Sequence, residues 1–190
     1  MPAESTLPQN FTEALRALTD CLGESQVPYV IIGGVAVSFV AQPRATQDID
    51  SVVWLDHEEW PKLVVSAARP GLTPRIDDAL EFAAQSRVLL LRHDPTQVEI
   101  DLSFGATPFE REMIDRANSI DAGRITIRIP APEDLVIMKA IAGRKKDYLD
   151  IASILEVREN LDLERIRYWV REFAEVLETP EMVDSLERLL

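Results

Sequence analysis

The sequence predicts an α+β fold: a small sheet flanked by helices and followed by a helical C-terminal part. Three observations carry that reading. Residues 29–54 run as strand, double glycine, helix, strand. Residues 88–92 and 98–104 are two apolar, β-rich segments joined by His93, Asp94, Pro95 and Thr96, a hairpin signal. After Pro132 the apolar residues recur at helical spacing and no further strand is expected. A domain of mixed strands and helices is therefore expected over residues 1–130 and a helical subdomain over 131–190.

Residues 1–9 form a loose tail in this reading. Asn10 with Glu13 three positions on has the form of a capping box, and Phe11, Leu15, Leu18 and Leu22 share one helical face until Gly23. The apolar strand 29–32 stops at Gly33 and Gly34. Lacking Cβ, glycines let the chain turn sharply and let a phosphate approach main-chain N–H groups at the start of the following helix, expected over residues 35–41. Pro43 breaks that helix, and Arg44, Ala45, Thr46 and Gln47 lead into a strand over 48–55. Asp56 and Glu59 suggest a capped helix to residue 68, with Pro61 in its first turns. Pro70, Gly71 and Pro74 make residues 69–75 a loop, and 77–85 is weakly helical. Residues 108–119 read as a helix, 121–123 as a turn and 124–129 as a strand. Pro132 then opens a helix with Leu135, Met138 and Ala142 on its buried stripe, ended by Gly143. Asp147 and Asp150 begin the next helix, which carries Ile151, Ile154 and Leu155. Residues 163–178 place Ile166, Trp169, Val170 and Phe173 on one face, and Thr179 with Pro180 starts a last short helix.

At 190 residues the chain can bury a real core, and 46% apolar with 28% charged residues is an ordinary soluble profile. Its 33 acidic against 20 basic residues give a formal charge of −13. Such a field repels nucleic acid overall, so any RNA contact has to be a local basic patch. The single cysteine, Cys21, excludes an intramolecular disulfide and fits a reducing, cytoplasmic setting. No signal peptide is expected, and the uncharged run 27–41 is shorter than the roughly 20 residues a membrane span needs. His57 and His93 have no metal-ligand spacing and read as surface residues.

The chemistry concentrates in GGVAVSFVAQPRATQDIDSVVW. A strand has a side-chain period of two, so Asp48 and Asp50 emerge on one face while Ile49 and Val53 take the other. Paired carboxylates repel and are best kept ionised by a divalent cation; oxygen-only ligands suit Mg²⁺. In the strand 98–104, Glu99 and Asp101 share a face, so alternation alone leaves both open as a third acid. Two roles fit Arg44: a phosphate contact, or an ion pair with a surplus acid. Thr46 reads mainly as a turn residue.

This ordered set resembles the signature of the DNA polymerase beta type nucleotidyltransferase superfamily: a glycine turn after a strand, two acids separated by one apolar residue, and a third acid on a neighbouring strand. The spacing of Arg44 and Thr46 before the acids is most similar to the small bacterial AbiEii/MenT group of toxin-like nucleotidyltransferases, although Gln42 and Pro43 stand where relatives often carry a glycine. The resemblance implies a nucleotidyltransferase fold with a small mixed sheet. It selects Asp101 as the third metal ligand, assigns Asp48 and Asp50 to ions holding the nucleoside triphosphate (NTP), and gives Gly33, Gly34, Arg44, Thr46 and Lys139 to the nucleotide. Two Mg²⁺ ions about 3.5–4 Å apart would clamp an in-line displacement.

The segment EDLVIMKAIAGRKKDYLDI resembles one that follows the catalytic domain in such enzymes, with a lysine at the place of Lys139 and a supporting acid near Asp147. Lys139 as a snorkelling surface side chain, and Asp147 as a helix cap, are the alternatives. The implied activity moves a nucleotide from an NTP to a hydroxyl of RNA (tRNA) or protein, as the toxin of a toxin–antitoxin or phage-defence pair with an antitoxin protein as partner. A catalytically inactive nucleotide sensor or partner-binding member, and an acidic antitoxin or scaffold, are the other classes.

Overall fold

The computed structural model describes residues 7–41, 46–123 and 125–190. The chain divides into two compact units, one of Met1–Val35 with Ala45–Ile129 and one of Ala36–Arg44 with Pro130–Leu190.

The first unit is organised on a five-stranded mixed sheet of order β1-β2-β5-β4-β3. Its strands are β1 (Tyr29–Ile32), β2 (Asp48–Val53), β3 (Leu72–Pro74), β4 (Val88–His93) and β5 (Val98–Phe104). The central pair, β2 and β5, is parallel and the other neighbours are antiparallel. Registers follow the apolar alternation: Ile49 lies opposite Ile100, Ser51 opposite Leu102, Val53 opposite Phe104 and Leu89 opposite Leu102. All of these are buried and make one sheet face. A slip by one residue would put carboxylates into that core, which is why the register is strongly specified. Helix α1 (Gln9–Glu24) packs on β5 and on α3 (Trp60–Ala67), burying Phe11, Leu15, Leu18, Cys21 and Leu22. Trp60 stacks on Phe104 with ring centroids 3.8 Å apart. On the other face, α5 (Pro108–Asp115) packs on β1 and β2, and a separate hairpin of β6 (Asn118–Asp121) and β7 (Thr126–Ile129) packs on β1.

Several local expectations change. Helix α1 is entered through Pro8 with no side-chain cap, so Asn10 lies inside it rather than capping it. The proposed Asp56–Glu59 box is a 3-10 turn, His57–Glu59; Pro61, lacking an N–H, sits in the first turn of α3, where no donor is lost. The loop expected over 69–75 contains β3, an edge strand whose Pro74 is tolerated because an edge leaves an N–H position unpaired. Residues 79–86 form a full helix, α4 (Ala79–Ser86), closed by Arg87 in the left-handed region at φ 58°. The helix expected to residue 119 ends at Asp115, and 118–121 pairs as β6. His93 is 5% exposed, not a surface residue: it shares the core face with Val98 and Leu72, its register partners.

In the second unit, α6 (Pro132–Ala142) packs against α7 (Lys145–Val157), α8 (Leu163–Val176) and α9 (Glu181–Glu187). Gly143 closes α6 at φ 63°. The buried face of α6 is broader than the Leu135–Met138–Ala142 stripe: Leu135, Val136, Ile137 and Ala140 are buried and Ala142 is exposed, because neighbours lie on more than one side. Arg158 donates to the carbonyls of Val40 (2.7 Å) and Phe39 (3.2 Å), tying the end of α2 (Gly33–Val40) into this unit. No helix among the described residues is long and apolar enough to cross a membrane.

Candidate active site

Parallel pairing of β2 with β5 brings the acids together. Asp50 lies opposite Asp101 and Asp48 opposite Glu99, so four carboxylates occupy one end of the sheet face that does not carry the main core. Asp48 is exposed, Asp50 and Asp101 are half-buried, and Glu99 is exposed. Register thus joins the two halves of the sequence motif. It does not by itself discriminate Glu99 from Asp101.

The double glycine is fitted to this spot. Ile32 pairs with Asp50 across β1 and β2, so the next residue, Gly33, turns directly beside the Asp50 carboxylate. Gly33 has φ +65°, and a Cβ placed there would lie 1.9 Å from Asp50 Oδ2. Only glycine satisfies both conditions. Gly33 and Gly34 are the first residues of α2, the end at which helix N–H groups take acceptors from outside the helix. Thr46 donates from Oγ1 to the carbonyl and to Oδ1 of Asp48, both at 3.2 Å, which steadies the entry to β2. Arg44 lies outside the described residues.

Arg75 was hidden inside what the sequence presents as a loop. Its N–H donates to the Leu90 carbonyl at 3.0 Å, which continues the β3–β4 ladder one residue past Pro74. Leu90 in turn lies opposite Asp101, so Arg75, Leu90 and Asp101 line up across three strands. From there the guanidinium reaches over Leu90, donating to Asp101 Oδ1 through one terminal nitrogen and to Glu99 Oε2 through the other. Burial pushes the Asp101 carboxyl above the usual carboxylate range; Arg75 pulls it down, while Asp48 and Glu99 push it further up.

Lys139 belongs to the second unit. It is 6% exposed, with Nζ 3.1 Å from Asp147 Oδ1 and 2.8 Å from Asp150 Oδ2. Arg144 completes the cluster, its Nε 2.6 Å from Asp147 Oδ2. Burial raises the Asp147 carboxyl, yet the hydrogen bonds and charges of Arg144 and Lys139 outweigh it and hold the group below its ordinary range. Asp147 is not the N-cap of α7, a place taken by Arg144; as the third helical residue it accepts from the Arg144 N–H at 3.2 Å.

Among the described residues no three His, Cys, Asp or Glu side chains converge as a group able to hold a metal ion. The donor chemistry nevertheless suits a hard divalent cation: oxygen ligands only, on aligned strands, with the Gly33 main chain closely packed on one of them.

Residues 9–186 match the family described as nucleotidyltransferase of unknown function (DUF6036). No curated protein matches the sequence. Among solved structures, an antigenic nucleotidyltransferase-like protein from Paracoccidioides brasiliensis is similar over 97% of this chain and 94% of its own, with TM-score 0.57 and 14% identity. The antibiotic-resistance factor ANT(2'')-Ia is similar over 92% of this chain and 97% of its own, with TM-score 0.60 and 13% identity. The lincosamide antibiotic adenylyltransferase LnuA, solved with lincomycin bound, is similar over 77% of this chain and 97% of its own, with TM-score 0.55 and 15% identity. At such identities these likenesses establish the fold, a nucleotidyltransferase fold.

Proposed function

The chain belongs to the DUF6036 nucleotidyltransferase family, and we propose that its five-stranded unit transfers a nucleotide from an NTP to an acceptor hydroxyl. The observation that carries this reading is the Asp50–Asp101 register with Gly33 packed against Asp50. Asp48, Asp50 and Asp101 would hold Mg²⁺. When bound, the cation supplies charge neutralisation of the phosphates and of the oxygens that change partners.

The protein's own groups do the rest by position. The N–H groups of Gly33 and Gly34 donate to triphosphate oxygens at the start of α2, where the partial positive end of the helix favours anions. Thr46 fixes Asp48, and Arg44, four residues before Asp48, is the basic residue assigned to phosphate charge by the superfamily resemblance. Asp101 faces the acceptor side and takes the proton of the attacking hydroxyl. Phosphoryl-type transfer depends mainly on such positioning and electrostatics, so few side chains suffice. The acceptor is an RNA or protein hydroxyl, and the biological setting is that of a toxin paired with an antitoxin, as the likeness of the Arg44–Thr46–Asp48–Asp50 spacing to AbiEii/MenT proteins suggests.

Incubating the protein with each labelled NTP, Mg²⁺ and total RNA or total protein tests this. Labelling that vanishes with Asp48→Ala and with EDTA is the expected result; absence of labelling above the Asp48→Ala background sinks the reading. One observation favours a second reading, a nucleotide-sensing or partner-binding member without turnover: the hold of Arg75 on Asp101. NTP binding by calorimetry without product formation would select it.

A further inference from the structure

We propose that Arg75 competes with the divalent cation for Asp101, so that completing the metal site requires the Asp101–Arg75 bond to open; this rests on the nucleotidyl-transfer reading of the same acids. The argument starts from charge. Asp48, Asp50, Glu99 and Asp101 crowd one end of a sheet face, each within a strand or two of the others. Like charges at such spacing are destabilising unless a cation lies among them. Among the described residues Arg75 is a cation that lies directly on two of these carboxylates. Its side chain is 19% exposed, and its two terminal nitrogens go to Asp101 Oδ1 and Glu99 Oε2. Its Nε is buried and has no hydrogen-bond partner, so carboxylates account for the hydrogen bonding of this guanidinium among the described residues.

While Asp101 Oδ1 accepts from Arg75 that oxygen is committed to the guanidinium, and using it as a ligand shared with Asp48 and Asp50 requires the bond to open. A guanidinium donates from fixed directions in its plane, and a hard cation requires carboxylate oxygens at close to 2.0–2.1 Å in octahedral geometry. Among the described residues Asp48, Asp50 and Asp101 do not form a ready three-acid group, and Asp101 is the one of the three that Arg75 holds. Cation loading therefore carries a cost equal to one charge-assisted bond. Arg75 keeps Glu99 as a partner when Asp101 leaves, which lets it swing without being stranded. Glu99 thus acts as the parking position, and Asp101 as the exchangeable ligand.

The test is Mn²⁺ binding to the full-length protein, read as free Mn²⁺ by electron paramagnetic resonance, with thermal melting in parallel. Arg75→Gln is expected to bind Mn²⁺ about tenfold tighter, the factor that corresponds to about 1.4 kcal/mol, the lower end for a hydrogen bond to a charged group. In a metal-free buffer the same variant melts lower, and Mn²⁺ restores more of its stability than it adds to the parent. Removing a positive charge strengthens any nearby cation site through the field alone, so Arg92→Gln is the control. Arg92 lies opposite Glu99 on the same face and its Nε is 3.6 Å from Asp94. It should change the affinity far less. In an Asp101→Asn background the Arg75→Gln gain should disappear, since the two residues act as a pair.

Should Arg75→Gln fail to fold, Arg75→Lys, which keeps the charge but loses the planar fork of two terminal nitrogens, is expected to show a smaller tightening. Unchanged or weaker binding in the Arg75 variants, or an equal gain in Arg92→Gln, overturns the inference while leaving carboxylate-dependent binding, and with it the functional reading, intact. Mn²⁺ binding that does not depend on Asp48 and Asp50 overturns both.

Discussion

Replacing Gly33 by alanine perturbs the candidate site at the point where backbone and carboxylate meet. Its φ of +65° places the residue in the left-handed region, which costs an L-residue about 1–2 kcal/mol. The new Cβ would lie 1.9 Å from Asp50 Oδ2, 2.7 Å from Cγ and 2.9 Å from Cβ. Rotation of the carboxylate relieves the first two contacts. The third is fixed by β2 itself, so the Gly33 main chain or the strand has to move, and overpacking of this kind typically costs about 1–3 kcal/mol. Together the two effects predict a loss of roughly 2–5 kcal/mol in urea unfolding, seen as a lower midpoint with an unchanged slope. They also predict loss of nucleotide transfer measured under conditions where the variant remains folded, because Asp50 no longer points where the parent points it. Gly23→Ala is the control: nothing lies within 4 Å of its Cβ, and alanine in a helix is expected to be neutral or to stabilise by about 0.5–1 kcal/mol. A Gly33→Ala protein with the parent's midpoint and full transfer would refute the reasoning.

Further outcomes follow from buried charge. Asp147→Asn leaves Lys139 with Asp150 alone in a buried cluster and is expected to destabilise by about 3–5 kcal/mol, checked by urea unfolding. Because the folded Asp147 carboxyl is depressed, its contribution is present above the unfolded value of about 3.9 and is lost as pH falls through the folded one. The parent's acid unfolding should therefore be shallower in Asp147→Asn at low pH. His93 shifts in the opposite sense for a base: burial lowers it, against Glu13, Asp94 and a hydrogen bond to the Pro70 carbonyl. The unfolded chain then binds more protons below about pH 6.5, so stability falls as pH drops through that window. His93→Gln should flatten this part of the stability–pH curve even though it weakens packing. Asp101→Asn removes a carboxyl that burial disfavours in its charged form; it should abolish transfer yet cost little folding stability in metal-free buffer, as thermal melting would report.

Much of the sheet was legible because a period of two is written locally. The bounds of β1 and β5 coincide with the apolar runs, and Ile49, Val53, Ile100 and Leu102 face the core as alternation requires. Elements whose identity depends on a partner were not legible. β3 contains a proline and only three residues, and becomes a strand because β4 offers it a ladder. Residues 118–121 became a strand for the same reason, with β7 as partner. His93 looked polar in its neighbourhood along the chain, while its neighbours in space are Leu72 and Val98.

The sequence by itself determined the composition of the candidate site: a double glycine after a strand, Asp48 and Asp50 on one face, and an acid at 99 or 101 on another strand. Local periodicity carries that information, since neighbours along a strand fix which way each side chain points. Only the tertiary structure decided that β2 and β5 pair in parallel with Asp50 beside Asp101, and that Arg75, 26 residues before Asp101, is the group that holds it. Strand order and register arise from long-range packing of the whole core, and a salt bridge between distant residues leaves no periodic trace in the chain that encodes it.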